Sequence, residues 1–195
     1  PGTTLYPTDP SAIDGDIWIA NEFRNETSMR VGHRGFTILL HEIGHAAAGF
    51  DDIAKDSAHD WAYYTVMSYR DVNSPGQKQA SLGIVDLEAL ARKHPNQTRS
   101  GNLGDTTYGF NSTTLNSIYS YSRDRYAAFT ISDDGGASDL IDLSEFDRPG
   151  RISLVSGEVG SVGGGLYNIS ISYQSIMERI VGGKSYDYLK GNDVS

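Results

Sequence analysis

The stretch that decides how this chain is interpreted is Phe36-Thr37-Ile38-Leu39-Leu40-His41-Glu42-Ile43-Gly44-His45. It places two histidines and a glutamate at the H-E-x-x-H spacing of a zinc protease. In a helix, His41 and His45 lie one above the other on a single face, where both imidazoles can reach one tetrahedral zinc ion. Glu42 lies about 100° around the helix. It is therefore predicted to take a proton from zinc-bound water rather than to bind the metal.

The alternative for this stretch is an amphipathic helix that carries two histidines by chance. The chain has 5 histidines in 195 residues, and chance gives roughly one such match per 200 chains of this composition. The apolar residues Phe36, Leu39, Leu40, Ile43 and Ala47 also supply the buried face that a helix needs. The sequence therefore favours a zinc-binding helix, which is expected to end near Gly49.

Composition limits the ligands and the partners. The chain has no cysteine, so a zinc ion would be held by His, Asp, Glu or Tyr. A net charge of −9 disfavours nucleic acid and anionic membranes as partners. No apolar run approaches the 18 residues of a membrane span. The 25 acidic residues could instead serve divalent cations.

Outward from the motif, the N-terminal side is short. Residues 1–15 hold three of the six prolines and are expected to be irregular. Residues 16–21 predict an exposed strand, which could pair with an extended substrate or be an ordinary half-buried strand.

On the C-terminal side, Met67 lies in a run of small and aromatic residues, a pattern that more often indicates core packing than catalysis. Residues 81–94 predict a second, packing helix with Ser81 as its cap. Residues 95–101 break the pattern, and we place a domain boundary there.

Beyond residue 101 the chain predicts an all-β region. Short alternating runs at 127–131, 139–143, 151–154 and 167–171 are separated by turns rich in Gly and Asp. Residues 182–190 approximate the calcium-binding nonapeptide of parallel β-rolls, although one copy cannot build a roll. The turns at 133–139 and 182–187 predict calcium sites, with metal-free Asx turns as the alternative.

Together these features resemble the serralysins, which are secreted bacterial metzincin zinc proteases with a calcium-binding β-roll. The resemblance covers about residues 16–195, and its carriers are residues 37–45, 66–69, the helix after them, 104–112, 133–136 and the closing Gly-Asn-Asp-Val. It implies an α+β fold: a metzincin-like core with two main helices and a short strand, then a β-sandwich or β-roll-like portion. The implied domains are a zinc catalytic domain at 1–100 and a calcium-binding β domain at 101–195.

The resemblance also implies roles for particular residues. Met67 would form the turn beneath a zinc ion, and Tyr69 would stabilise the oxyanion beside the catalytic base Glu42. The calcium-binding residues would be Asp133, Gly135, Asp139 and Asp187. A secreted, extracellular location is implied as well, with a protein or peptide substrate and a proteinaceous inhibitor as partners.

The third zinc ligand departs from the family pattern H-E-x-x-H-x-x-G-x-x-H. Here Ala48 occupies the glycine position, Gly49 follows it, and Asp51 stands where the third histidine belongs. Snapalysin-type metzincins have aspartate there, and a carboxylate is an ordinary zinc ligand. Asp51 is therefore the first choice, Asp52 the second if the displaced glycine shifts the turn, and His59 the third.

Three functions compete. The first is a zinc endopeptidase, favoured by intact Glu42 and Tyr69. The second is a catalytically weak or inactive relative that acts as a binding or structural module, because only 40 residues precede His41 and the third ligand is altered. In the third, the calcium-binding β portion is the functional part and the zinc helix is vestigial.

Overall fold

The structure is a computed structural model that describes residues 16–71, 77–95, 103–125 and 127–194, together with the backbone of residues 3–4. The predicted irregular segment at 1–15 lies largely outside the described residues. So does most of the predicted boundary at 95–101, and the division into domains at 1–100 and 101–195 stays a prediction.

The motif helix forms where the sequence places it. Helix α1 spans Arg34–Ala48, and Gly49 follows it with a left-handed φ of 61°. The Phe50 N–H then donates to the Gly44 carbonyl at 3.0 Å, which closes the helix end in the manner of a Schellman turn. Before the helix, strand β2 (Ile17–Trp18) pairs antiparallel with β1 (Thr3–Thr4), so the strand expected at 16–21 is two residues long.

The second helix begins later than the sequence suggests. Helix α2 spans Ile84–Lys93, and its N-cap is Gly83. Ser81 was expected to be the cap, but its hydroxyl accepts the N–H of Thr130 instead. A Cβ on Gly83 would lie 2.2 Å from the Tyr64 carbonyl oxygen. The close approach of these two segments explains why glycine occupies the cap.

The rest of the described chain is built of short strands. These are β3 (Thr107–Gly109), β4 (Phe129–Ile131), β5 (Leu140–Asp142), β6 (Arg151–Ser153), β7 (Val159–Gly160), β8 (Ile169–Ile171), β9 (Arg179–Val181) and β10 (Tyr188–Lys190). Single 3₁₀ turns occur at Asn21–Phe23 and Ser117–Tyr119. The four strands predicted from alternating runs are therefore observed, each within its predicted range.

The strands form a parallel coil. β5 pairs parallel with both β3 and β9, β4 with β8, and β6 with β10, while β7 runs antiparallel to β8. Thr107 pairs with Leu140, and Leu140 pairs with Arg179. Successive turns of the coil thus take several times the length of a nonapeptide, and the single nonapeptide-like segment ends in β10 as one strand among many.

The core of the molecule lies inside this coil. Its largest fully buried side chains include Tyr108, Phe110, Tyr121, Phe129 and Ile141. The rings of Tyr121 and Phe146 meet edge to face at 4.9 Å, a geometry that adds to simple area burial. Three-residue strands form few ladder hydrogen bonds, so this aromatic packing contributes much of the cohesion.

The helices are joined to the coil by the segment before α2. Gln79 bridges Ala128 in parallel register, and the Thr37 hydroxyl of α1 donates to the Gln79 carbonyl at 3.0 Å. Gln77 is 2% exposed, and its amide both donates to the Leu166 carbonyl and accepts the Leu166 N–H. The motif helix α1 is therefore linked to the β coil through Gln79.

The predicted fold class, α+β with a metzincin-like core, is wrong. The described chain is mostly β, with two helices of 15 and 10 residues. On the helical side, the strands among the described residues are the two-residue β1 and β2. A catalytic sheet needs several strands beside the helix, and the described residues do not supply them.

Asn168 provides a test of the coil. Its side chain is 1% exposed, accepts the Val162 N–H at 2.9 Å and donates to the Val162 carbonyl at 3.1 Å. Asn168→Ala leaves both backbone groups unpaired, so the free energy of unfolding should fall by about 2–4 kcal/mol in urea titrations. Exposed Asn21→Ala is the matched control and should change it by less than about 0.5 kcal/mol. Equal effects of the two substitutions would contradict this account.

Candidate metal centre

Two imidazoles face each other on α1 (Arg34–Ala48). The Nε2 atoms of His41 and His45 are 3.1 Å apart, and the rings meet at an interplanar angle of 85°. Both side chains are about nine-tenths buried, with 10% and 9% of their surface exposed. The i, i+4 spacing therefore brings the two ring nitrogens to one point, as the sequence predicts.

The other nitrogen of each ring is held by a backbone carbonyl. His41 Nδ1 donates to the Val66 carbonyl at 2.8 Å, and His45 Nδ1 donates to the Phe50 carbonyl at 2.7 Å. A carbonyl can only accept, so each Nδ1 must carry the proton. In the neutral rings, both Nε2 atoms then present lone pairs to the same point, which is the arrangement that a bound cation stabilises.

A carboxylate and a phenol complete the cluster. Asp52 Oδ1 lies 3.3 Å from His41 Nε2 and 3.4 Å from His45 Nε2. The Tyr69 hydroxyl donates to Asp52 Oδ2 at 3.3 Å and lies 3.2 Å from His41 Nε2. Within the described residues, His41, His45 and Asp52 are the one group of three such side chains whose ligand atoms all lie within 4.8 Å of one another.

The helix end determines which aspartate reaches the histidines. Gly49 turns the chain through the left-handed region, the Phe50 carbonyl then points at His45, and the Ile53 N–H donates to the Met67 carbonyl. These contacts place Asp52 in the cluster, whereas Asp51 lies outside it. His59 also lies elsewhere, with its ring against Tyr64 at 5.1 Å. Of the three residues predicted as the third ligand, the structure therefore brings Asp52, the second choice, to the two histidines.

Glu42 lies beside this cluster. It is 3% exposed and lines a cavity of about 210 Å³ together with His41 and Tyr69. Ile38 and Val66 give the cavity an apolar wall. A carboxylate that lines such a cavity, as Glu42 does, can exchange a proton with a molecule that enters it.

Met67 lies beneath the histidine helix. It is 3% exposed, and a Cβ on Gly44 would lie 2.8 Å from its sulfur. Glycine at position 44 therefore lets the methionine pack directly against the helix backbone between the two histidines.

The buried carboxylate of Asp86 is part of this candidate centre, a role that the sequence did not predict. It accepts the Thr65 hydroxyl at 2.5 Å and the N–H groups of Val66 and Gly83 at 2.8 Å each. Burial raises the pKa of Asp86, and these three hydrogen bonds act against that rise. Because Val66 in turn holds His41, Asp86 positions the imidazole. An acid at the third position of a helix after glycine was the available signal.

The predicted calcium residues fall in two places. Asp133 accepts the Gly135 N–H and the Tyr108 hydroxyl, and Asp139 accepts the Thr106 N–H at 2.7 Å. Asp187 lies elsewhere, where it accepts the N–H groups of Gly150 and Gly183. The structure thus brings Asp133, Gly135 and Asp139 into one region and leaves Asp187 outside it.

Negative charges repel one another around Asp139. Its side chain is 2% exposed, and burial followed by the charges of Asp133, Glu178 and Asp105 raises its pKa to about 6. Burial likewise raises the pKa of Asp133. The Asp139 N–H donates to Glu178 at 2.7 Å, so the acids are held close by backbone contacts and not by mutual attraction.

In the part of the chain that the structure describes, neither helix is long and apolar enough to cross a membrane.

Comparison with known proteins gives a consistent set of relatives. The family model for the C-terminal part of M10 serralysin peptidases matches residues 96–194. The chain is 31% identical to serralysin of Proteus mirabilis over 99% of its own length, and 32% identical to serralysin B of Dickeya chrysanthemi over 96%. It is 30% identical to the metalloprotease AprA of Pseudomonas entomophila over 94%.

The chain spans less than half the length of these relatives: 42% of the first, 43% of the second and 42% of the third. The family model begins at residue 96, so it covers the β coil and not the helical part. This match agrees with the mostly β architecture and overturns the predicted metzincin-like core.

Asp86→Ala tests the link between α2 and His41. It leaves the N–H groups of Val66 and Gly83 unpaired, so the free energy of unfolding should fall by about 2–5 kcal/mol. The NMR signal of the His41 Nδ1 proton should also lose its protection from exchange. Asp147→Ala removes an exposed carboxylate and should change neither quantity. A protected Nδ1 proton in Asp86→Ala would show that Asp86 does not orient the ring.

Proposed function

Because this chain belongs to the serralysin family, we propose that it acts as the calcium-binding β module of a serralysin-type protein and is catalytically weak or inactive by itself. Its relatives are metalloproteases, and the chain corresponds to less than half of each. The acidic region around Asp139 is the observation that carries the proposal.

Electrostatics supports calcium in that region. Asp133 and Asp139 are nearly fully buried, and like charges contribute to the raised pKa of both. A divalent cation would offset this repulsion, and carboxylate and carbonyl oxygens are the ligands that calcium prefers. In the competing account, the turns are held by their hydrogen bonds and need no metal.

The pH dependence of stability tests this proposal. A folded-state pKa of about 6 for Asp139, against a usual 3.8, means that its contribution to stability is present at low pH and is lost as the pH rises through about 6. Metal-free protein should therefore gain stability from pH 7.5 to pH 5 relative to Asp139→Asn. Unfolding curves at the two pH values provide the measurement.

Calcium should remove the destabilisation that Asp139 causes in the metal-free chain at pH 7.5. Added to the metal-free chain at pH 7.5, it should raise the melting temperature of the parent and much less that of Asp139→Asn. Asp147→Asn, an exposed acid, serves as the control and should behave like the parent. A melting temperature unchanged by calcium would refute the calcium module.

Zinc-dependent peptide hydrolysis within a longer protein is a second candidate, supported by the geometry of the histidine cluster. Two facing Nε2 atoms, a carboxylate oxygen and buried Nδ1 donors fit a zinc ion. His41, His45 and Asp52 would hold the metal, which supplies an acidified water. Glu42 would take the proton, and the Tyr69 hydroxyl would donate to the developing oxyanion.

An aspartate in place of a neutral histidine changes the expected chemistry. An anionic ligand lowers the net charge of the site, so the bound water is less acidic than with three histidines. Peptide hydrolysis at this site would therefore be slower, or its optimum pH would be higher. The same proposal includes a secreted, extracellular location. Its partners would be a protein or peptide substrate and a proteinaceous inhibitor.

Zinc competition distinguishes the two aspartates. Asp52→Ala should weaken zinc affinity at least about tenfold relative to Asp51→Ala, since a direct ligand contributes to metal binding free energy. Glu42→Gln is the matched control, because it should keep zinc and, in a full-length protein, lose casein hydrolysis. Equal zinc affinity in the two aspartate variants would remove Asp52 from the ligand set.

A further inference from the structure

A second cleft lies between the loop that precedes the methionine turn and the β coil. It has a volume of about 510 Å³, and four tyrosines, Tyr63, Tyr64, Tyr167 and Tyr188, are among its lining residues. It shares no lining residue with the cavity beside Glu42. Its size is that of a small-ligand site, and neither the calcium region nor the histidine cluster accounts for it.

Stacked rings organise one wall of this cleft. Tyr167 stacks on Tyr63 with centroids 4.6 Å apart and an interplanar angle of 26°, and Tyr63 stacks on Trp61 at 5.8 Å and 21°. The Arg70 guanidinium covers Trp61 at 3.9 Å. Tyr167 is the end of this stack on the coil side, and 46% of its surface remains exposed.

Tyr167 is held in a costly backbone conformation. Its φ is +52°, a region that side chains other than glycine, asparagine and aspartate rarely occupy. Neighbouring contacts hold it there: its N–H donates to the Ser161 hydroxyl at 2.9 Å, and Gln77 binds both backbone groups of Leu166. A glycine would fit this backbone without strain, so the ring itself offers a reason for tyrosine at the position.

The polar wall of the cleft carries both donors and acceptors. Lys190 pairs with Glu158 at 2.5 Å, so the positive charge of Lys190 is balanced locally. Arg151 lies over the Tyr188 ring at 5.2 Å, and Ser153 and Ser161 add hydroxyl groups. The polar groups of this lining do not suit an apolar side chain. Its charged side chains are Arg151, Lys190 and Glu158, two positive and one negative, so the net charge of +1 would not neutralise a multiply charged anion such as a phosphate.

We propose that this cleft binds a short neutral carbohydrate of one or two sugar units. A sugar has an apolar ring face, which suits the exposed Tyr167 ring. Its many hydroxyl groups both donate and accept, which suits the side chains of Arg151, Glu158 and Lys190. The proposal needs neither zinc nor calcium.

The test is calorimetric titration of the whole chain with the neutral disaccharides maltose, cellobiose and N,N′-diacetylchitobiose. At least one should bind with a dissociation constant below about 10 mM. Tyr167→Gly should weaken it at least about tenfold. The same change relieves the backbone strain while it removes a ring contact with Tyr63, so the melting temperature should stay close to that of the parent.

Tyr186→Gly is the matched control, because Tyr186 is 94% exposed and does not line the cleft. It should bind the sugar as the parent does. If Tyr167→Gly does not fold, Arg151→Ala decides the question and should weaken binding at least about tenfold. The proposal is overturned if none of the three sugars binds, or if the folded cleft variant binds as tightly as the parent.

Discussion

The candidate metal centre depends on one buried carboxylate. Asp86, in the first turn of α2, accepts hydrogen bonds from Thr65, Val66 and Gly83 and thereby fixes the turn that carries Met67. The Val66 carbonyl then holds His41 through Nδ1. The orientation of a candidate ligand on one helix is thus set by an acid on another. A polar network of this kind is rigid when every member has its partner, and it loses stability sharply when one partner is removed.

The β coil contacts the segments that carry this network and holds them in place. The segment before α2 pairs with the strand that leads into Phe129, and the Gln77 amide binds Leu166. On the other side, the stack from Arg70 through Trp61 and Tyr63 ends on Tyr167 of the coil. The position of the methionine turn is therefore determined by contacts with the coil as well as by its own sequence. The same loop contributes Tyr63 to the aromatic cleft and Tyr69 to the histidine cluster.

Acidic side chains have a structural role throughout the coil. Strands of two or three residues supply few ladder hydrogen bonds, so turns must satisfy many backbone N–H groups. Asp105, Asp142 and Asp187 each accept at least one such group. Where such acids are buried near one another, as at Asp133 and Asp139, burial and then the neighbouring negative charges raise their pKa values. This combination of satisfied turns and crowded charge is the physical basis for expecting a cation there.

The sequence by itself determined what depends on neighbours along the chain. The i, i+4 histidines, the helix stop at Gly49 and four of the strands follow from local spacing, turn residues and alternation. Whether Asp51 or Asp52 faces the histidines was decided by the path after Gly49, which the Ile53 bond to Met67 fixes across the fold. Asp86 orients His41, and Tyr167 ends the ring stack of the cleft, through contacts with residues far away in the sequence. Local patterns carry no information on such contacts, because the packing of distant segments creates them.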